Sequence, residues 1–422
     1  MGAGHSHGPP PSLDLSRAAR LGSIGLLVAV AIATVIGIVL LWPGERPALS
    51  STGTGMTQSV APIERGTVAA LSDCPDHLDS EASGSIHHAC QIATVELASG
   101  VTVPVELIGV SAVSGLVVGD PVHVSDVGEP GSSHFALVTI DRLLPLALFT
   151  LLFVVVVVAV AGWKGVRGLI GLAVAGVIFF GFMLPALATG RPAVAVALVG
   201  GSAIMFAVLY LAHGISMRTT SAFVGTLVSL LATAGLGALG VWAARLSGLS
   251  TDESIALAGQ SEGLSFTALL TCSLVIAGLG VLNDTTITQA SAVWELRGAG
   301  PHLSRWELFT AGMRIGRDHI ASTIYTIVFA YAGAALSTLV LLSMFTQPVG
   351  LLLSTEPFAE EIVRTLGSGI GLVLSVPLTT AVAALTVGGA VAAFGARGHH
   401  HDDDHDHGPE PDALPRRALP PR

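Results

Sequence analysis

Seven consecutive residues, Asn283-Asp284-Thr285-Thr286-Ile287-Thr288-Gln289, hold one apolar side chain and directly follow a long apolar run. A carboxylate at membrane depth is costly against lipid, so Asp284 is expected to face the protein interior, a water-filled cavity or a basic partner. Arg317 and Asp318 stand where the next apolar run begins. The pattern predicts a cluster of Asn283, Asp284, Thr285, Gln289, Arg317 and Asp318 lining the entrance for a solute or ion. Asp284 would take a cation or proton there, because a carboxylate is a hard oxygen ligand and titrates when desolvated. A second reading stays open. Asn283 and Asp284 would then end one helix or cap the next, with Arg317 and Asp318 as an interfacial snorkelling pair.

The histidines point to different chemistry. Seven of the fifteen lie in the two tails: His5 and His7, then His399, His400, His401, His405 and His407 among aspartates. Imidazole and carboxylate in close alternation suit Zn²⁺, Ni²⁺ or Cu²⁺, while a solvated polar tail has the same composition. His213 and His319 fit a place at the lipid headgroups, and His213 also allows a proton relay. Cys74 and Cys90, 16 positions apart, are expected to form a disulfide in an oxidising space; the adjacent His87-His88 keeps a metal site as the alternative. Cys272 reads as a small packing residue.

Gly235-Leu236-Gly237-Ala238-Leu239-Gly240 has the spacing of a dinucleotide loop but sits inside an apolar run with no strand before it. It is helix packing, as are Gly312–Gly316 and Gly367-Ser368-Gly369-Ile370-Gly371. No nucleophile–base pair is evident, and no HExxH, GxSxG or paired GxGD-type acid motif occurs, so no catalytic residue is assigned and an enzyme is not expected.

Composition says what must position these residues. The chain has 422 residues, 51% hydrophobic and 11% charged, and the low charged fraction excludes an ordinary soluble enzyme. With 19 basic against 29 acidic residues it offers no basic surface for nucleic acid. Eight windows of at least 21 residues contain no Asp, Glu, Lys or Arg: 21–44, 143–163, 168–190, 192–217, 219–244, 263–283, 319–355 and 365–396. Each is long enough to cross the hydrocarbon core, which takes about 20 residues. One helix is expected per window, that of the seventh at roughly 320–345.

Between the first and second windows, residues 45–142 carry 12 acidic residues and short β-like runs at Val101–Val105, Val122–Val124 and Phe135–Ile140. The expected fold class is thus an all-α polytopic membrane bundle of about eight helices with a small extracytoplasmic β-barrel or sandwich after the first helix. The domains read as a tail at 1–20, a helix at 21–44, the β domain at 45–142, a seven-helix bundle at 143–396 and a His/Asp-rich tail at 397–422. Within the bundle, 285–318 is expected as a cytoplasmic loop holding an amphipathic helix pair, with Trp294 and Trp306 at the headgroups. Residues 346–364 read as an outer loop with a short interfacial helix. The Arg/Lys bias, 13 on one side and 6 on the other, puts both termini in the cytoplasm. The first helix, apolar for about 24 residues, reads as an uncleaved anchor rather than a signal peptide.

Several stretches carry a resemblance. Gly119-Asp120-Pro121-Val122-His123-Val124 leads through Asp141-Arg142 into the second window. Gly162-Trp163-Lys164-Gly165-Val166-Arg167-Gly168 forms the next turn. Gly278-Leu279-Gly280-Val281-Leu282 runs into Asn283–Ser291, and Gly316-Arg317-Asp318 is followed by Ala330-Tyr331-Ala332-Gly333. In this order the chain resembles the YibE/F-like family of bacterial membrane proteins over most of residues 20–395, with both histidine tails and the cysteine pair outside. The resemblance implies a polytopic topology and supplies no catalytic residues. Thr285, Thr286 and Gln289 stand where the resemblance implies smaller apolar or Ser-like residues.

The function expected from all this is a transporter or permease of a small solute or ion, with metal on the tails as an accessory. The alternative is a non-transporting scaffold or sensor whose β domain binds an envelope partner. The lipid bilayer is the expected partner in both, and self-association is open.

Overall fold

The structure, a computed structural model, describes residues 17–44, 62–74, 90–128, 133–261, 263–344 and 347–387. The tail histidines His5, His7, His399, His400, His401, His405 and His407 lie outside these residues, as do His87 and His88.

A helix, α1 (Arg17–Leu40), precedes five strands: β1 (Ile63–Asp73), β2 (Cys90–Leu97), β3 (Thr102–Ile108), β4 (Pro121–Asp126) and β5 (Phe135–Ile140). The strands close into a barrel in the order β1-β2-β3-β5-β4. All neighbours are antiparallel except β3 and β5, which run parallel through Val105 and Phe135. Of the two expected forms, the β domain is therefore the barrel. Strict alternation dictates it: Val103, Val105 and Leu107 of β3 point inward while their neighbours face out. Val68, Val95, Leu97, Val122 and Val124 complete an aliphatic core. Cys74 follows β1 and Cys90 opens β2, beside the paired Asp73 and Gln91; their sulfurs are bonded, with Cα atoms 5.7 Å apart.

Helices form the remainder: α2 (Leu143–Ile178), α3 (Leu184–Ala188), α4 (Ala193–His213), α5 (Met217–Ala243), α6 (Asp252–Gln260), α7 (Phe266–Ala299), α8 (Arg305–Ala334), α9 (Leu336–Ser343), α10 (Val349–Leu353) and α11 (Glu356–Thr386). One π-helical stretch, Phe179–Met183, joins α2 to α3. The eight windows map onto six long apolar helical runs and one long, less apolar helix, α8. Windows two and three share the run Leu143–Ala188, which bends sharply at Gly162 (φ 56°, ψ −137°). A Cβ on Gly165 would lie 2.7 Å from the Val157 carbonyl oxygen, although residues eight apart on a straight helix are separated by about 12 Å. The chain therefore doubles back at the glycine where the turn was expected.

Three boundaries differ from expectation. The helix of window six does not end at Asn283: α7 continues to Ala299, 34 residues or about 51 Å, so most of 285–318 belongs to α7 and α8 and only residues 300–304 connect them. The polar stretch stays helical because Thr285, Thr286 and Gln289 are buried against neighbouring helices and have no water to turn toward. Arg297, 1% exposed, donates to the carbonyls of Pro301 and Leu303 and closes the α7 end, and Ser304 with Glu307 forms a capping box that starts α8. Window seven is consequently occupied by α8, which begins at Arg305 rather than near 320, and by the separate α9 and α10. Finally, α11 starts at Glu356, so the second half of the expected outer loop is its first turns.

Candidate functional site

α5, α7 and α11 pack against one another along most of their length. Small residues permit this. A Cβ on Gly225 would strike Thr379, and one on Gly371 would strike Thr233. Gly312 and Gly316 of α8 likewise lie against Gln289, Thr380 and Val376, the close approach expected of these glycines.

Hydroxyls line the interface. Thr226, Ser229 and Thr233 of α5 and Ser375, Thr379 and Thr380 of α11 are all buried. Most spend their hydrogen on their own helix: Thr226 on the Ala222 carbonyl at 2.9 Å, Ser229 on Gly225 at 2.7 Å, Thr233 on Ser229 at 2.8 Å and Thr380 on Val376 at 2.6 Å. A hydroxyl bound this way presents lone pairs to its surroundings, the equipment of an oxygen ligand for a cation. Bonds across helices gather toward the end where α5 begins: Thr226 with Thr286 at 2.6 Å and Ser221 with Thr386 at 2.6 Å. Gln289 Nε2 joins three helices there, donating to the Gly312 carbonyl at 2.8 Å and to Thr380 Oγ1 at 2.7 Å.

Other buried polar atoms have no hydrogen-bond partner. Four are on α11: Glu360 Oε1, Arg364 Nε, Ser368 Oγ and Thr379 Oγ1. Their spacings of 4, 4 and 11 residues keep them on one side of the helix. Asn283 Oδ1 and Thr285 Oγ1 of α7 and His319 Nε2 of α8 are in the same condition. At the end where α11 begins, Glu360, Glu361 and Arg364 line a pocket of about 370 Å³. A larger one, about 860 Å³, opens nearby between α4, α5 and α7; its walls are apolar apart from Arg245, Thr267 and Thr271, and it contains none of the unpartnered atoms.

The six residues expected to cluster divide into two groups. Asn283, Thr285 and Gln289 lie within the bundle, Gln289 with both amide hydrogens used. Asp284, Arg317 and Asp318 are exposed, and none of them forms an ion pair among the described residues. Successive helix positions face about 100° apart, so Asp284 turns outward where Thr285 turns in. His213 is the last residue of α4 and is exposed, just before Gly214.

The α5 and α11 contributions were not anticipated. Their signal was present as hydroxyls at helical spacing, Thr226-Ser229-Thr233 and Ser368-Ser375-Thr379, diluted by the surrounding alanines and leucines.

No curated protein and no solved structure matches this chain. The family model described as YibE/F-like protein matches residues 149–389, more than half of the 422. The match begins inside α2 and ends just past α11, so it takes in the hydroxyl-lined interface and excludes α1 and the barrel, a narrower span than the 20–395 over which the resemblance was drawn. With several helices long and apolar enough to cross a bilayer around that interface, this membrane protein belongs to the YibE/F-like family.

Proposed function

We propose that the bundle is a permease for small hydrophilic cations, and that passage follows one face of α11, from the pocket it shares with α8 and α9 to the hydroxyls that meet α5. One observation carries the reading: the unpartnered polar atoms of Glu360, Arg364, Ser368 and Thr379 run down one side of α11. In a lipid-embedded bundle, orphaned polar groups are expensive, and they are expected where water or a solute passes. The neighbouring hydroxyls of Thr226, Ser229, Thr233, Ser375 and Thr380, whose hydrogens are committed to their own helices, favour a cation over an anion. On this reading the tightly packed interface corresponds to an occluded state, and passage requires α5 and α11 to part. Transport rather than catalysis is the activity this reading assigns. It also places the chain in the inner membrane with both termini in the cytoplasm and the barrel outside. Metal capture by the histidine tails would be an accessory to it.

The test is uptake into proteoliposomes, with organic and alkali cations offered at equal concentration. Ser375→Ala with Thr379→Val is expected to cut uptake at least tenfold while the protein remains monodisperse in detergent. Unchanged uptake removes the α11 face from the pathway. Asp284→Asn, at an exposed position, is expected to leave uptake within about twofold.

A second reading has its own support. Between β3 and β4 the barrel exposes Ile108, Val110, Val113, Val117 and Val118. An apolar patch of that kind on a soluble-type domain marks a contact surface, as a sensor or scaffold with an envelope partner would need. Stoichiometric capture of one envelope protein by the full chain, lost in Val110→Asp, together with no uptake of any cation, would favour it.

A further inference from the structure

The pocket at the start of α11 contains a buried carboxyl group without an ion-pair partner among the described residues. Glu360 is 7% exposed, its Oε1 has no hydrogen-bond partner, and it forms no ion pair among the described residues. Arg364, one turn further along, forms its ion pair with Glu361 instead, Nη1 to Oε2 at 2.7 Å. Glu361 and Arg364 pair with each other, and the carboxyl group of Glu360 is left without an ion-pair partner in the pocket wall.

The remaining lining is suited to a particular partner. Tyr331 and Phe358 are half-buried aromatic groups, and Thr251 and Thr338 supply hydroxyls. The volume, about 370 Å³, lies in the range for small-molecule sites and far exceeds that of a bare ion. No group of three His, Cys, Asp or Glu side chains gathers among the described residues, so a transition metal has no ligand set at this position. A carboxylate to pair with positive charge, aromatic faces to stabilise it and apolar walls for a carbon skeleton together describe a receptor for an alkylammonium ion.

We propose that Glu360 binds the ammonium group of a small organic cation, held against Tyr331 and Phe358 at this end of the bundle. The inference names a ligand class and a site for the permease reading, and its place in transport rests on that reading. Binding is measured without flux, so failure of either one is told apart from failure of the other.

The experiment uses the full chain in detergent micelles with butylammonium, tetramethylammonium or sodium chloride at equal ionic strength. The expected result is a rise in Tm of several degrees with at least one ammonium salt, absent with sodium and abolished in Glu360→Gln. Phe358→Leu is expected to weaken the apparent affinity about fivefold. Should Glu360→Gln fail to fold, labelling of the wild-type protein decides: a hydrophobic carbodiimide should modify Glu360, and the ammonium salt should protect it. The proposal is overturned by equal stabilisation from sodium, by a shift that survives in Glu360→Gln, by the lack of any shift, or by labelling of Glu360 that the ammonium salt does not change.

Discussion

The barrel and the bundle solve burial in opposite ways. Inside the barrel, Val95, Val105, Leu107 and Val124 are sealed from solvent and the charged side chains of the same strands face out. Inside the bundle, Thr226, Ser229, Thr286, Gln289, Ser375 and Thr379 are sealed, while Leu144, Phe149 and Val160 of α2 stand exposed. Each region is thereby matched to a different solvent. Water drives aliphatic groups inward in the barrel. Lipid exerts no such drive, so the helices associate through small residues and short polar bonds. The run Leu143–Ala188 shows the extreme, since no residue of its most apolar window is buried.

The comparison can be broken most forcefully in the barrel. Val105→Asp puts an unpaired carboxylate into an aliphatic core and is expected to cost more than about 4 kcal/mol, unfolding the barrel while leaving the bundle intact. Limited proteolysis reads this as cleavage confined to residues 62–140; a resistant barrel would mean that its interior tolerates charge as the bundle's does. Next in size is Cys74→Ala with Cys90→Ala, expected to destabilise the barrel by about 3 kcal/mol through loss of a closed loop of about 15 residues. Denaturant titration of the barrel's unfolding measures it, with no matching change in the helices.

In the bundle the effects are smaller. Gly371→Val forces α11 away from Thr233 and is expected to cost about 2 kcal/mol, seen as a lower Tm of the detergent-solubilised protein. A double-mutant cycle on Thr226→Val and Thr286→Val should give a coupling of about 0.6 kcal/mol, small because the hydroxyls find other acceptors on their own helices. A coupling several times larger would show that the interior depends on polar bonds for stability.

The smallest effect is one of pH. The Asp126 carboxylate accepts the backbone N–H of Gly128 at 3.0 Å and that of His134 at 2.9 Å; the first of these does most to hold its pKa below the usual carboxylate value. A depressed folded-state pKa gives stability that is present above the unfolded value and is lost as pH falls through the folded one. Barrel stability should therefore decline on acidification through that window, and Asp126→Asn should flatten the decline.

Much of the fold was legible. Spans without charge located every long apolar helix, because crossing lipid demands about 20 such residues whatever the packing. Gly162 was readable as a turn beside Lys164 and Arg167. Three strands showed as β-branched runs; β1 and β2 were missed, since Ile63–Asp73 mixes Glu, Arg, Gly and Ala and lacks a run to notice. Of the site, the polar stretch of α7 was located but its helix was ended too soon. Polarity in a sequence looks the same whether it faces water or a neighbouring hydroxyl.

Composition and the spacing of charges thus determined that the chain lives in a bilayer, where its spans fall, and that a compact β domain interrupts them. These properties depend on the solvent, and each residue carries its own preference for lipid or water. The tertiary structure alone decided that Asp284 faces outward and Thr285 inward, that α5 and α11 supply the hydroxyls opposite α7, and that Glu360 is buried while Glu361 pairs with Arg364. Those outcomes depend on how helices are rotated and paired. Adjacent residues on a helix point about 100° apart, and no local property of the chain says which direction its neighbours will occupy.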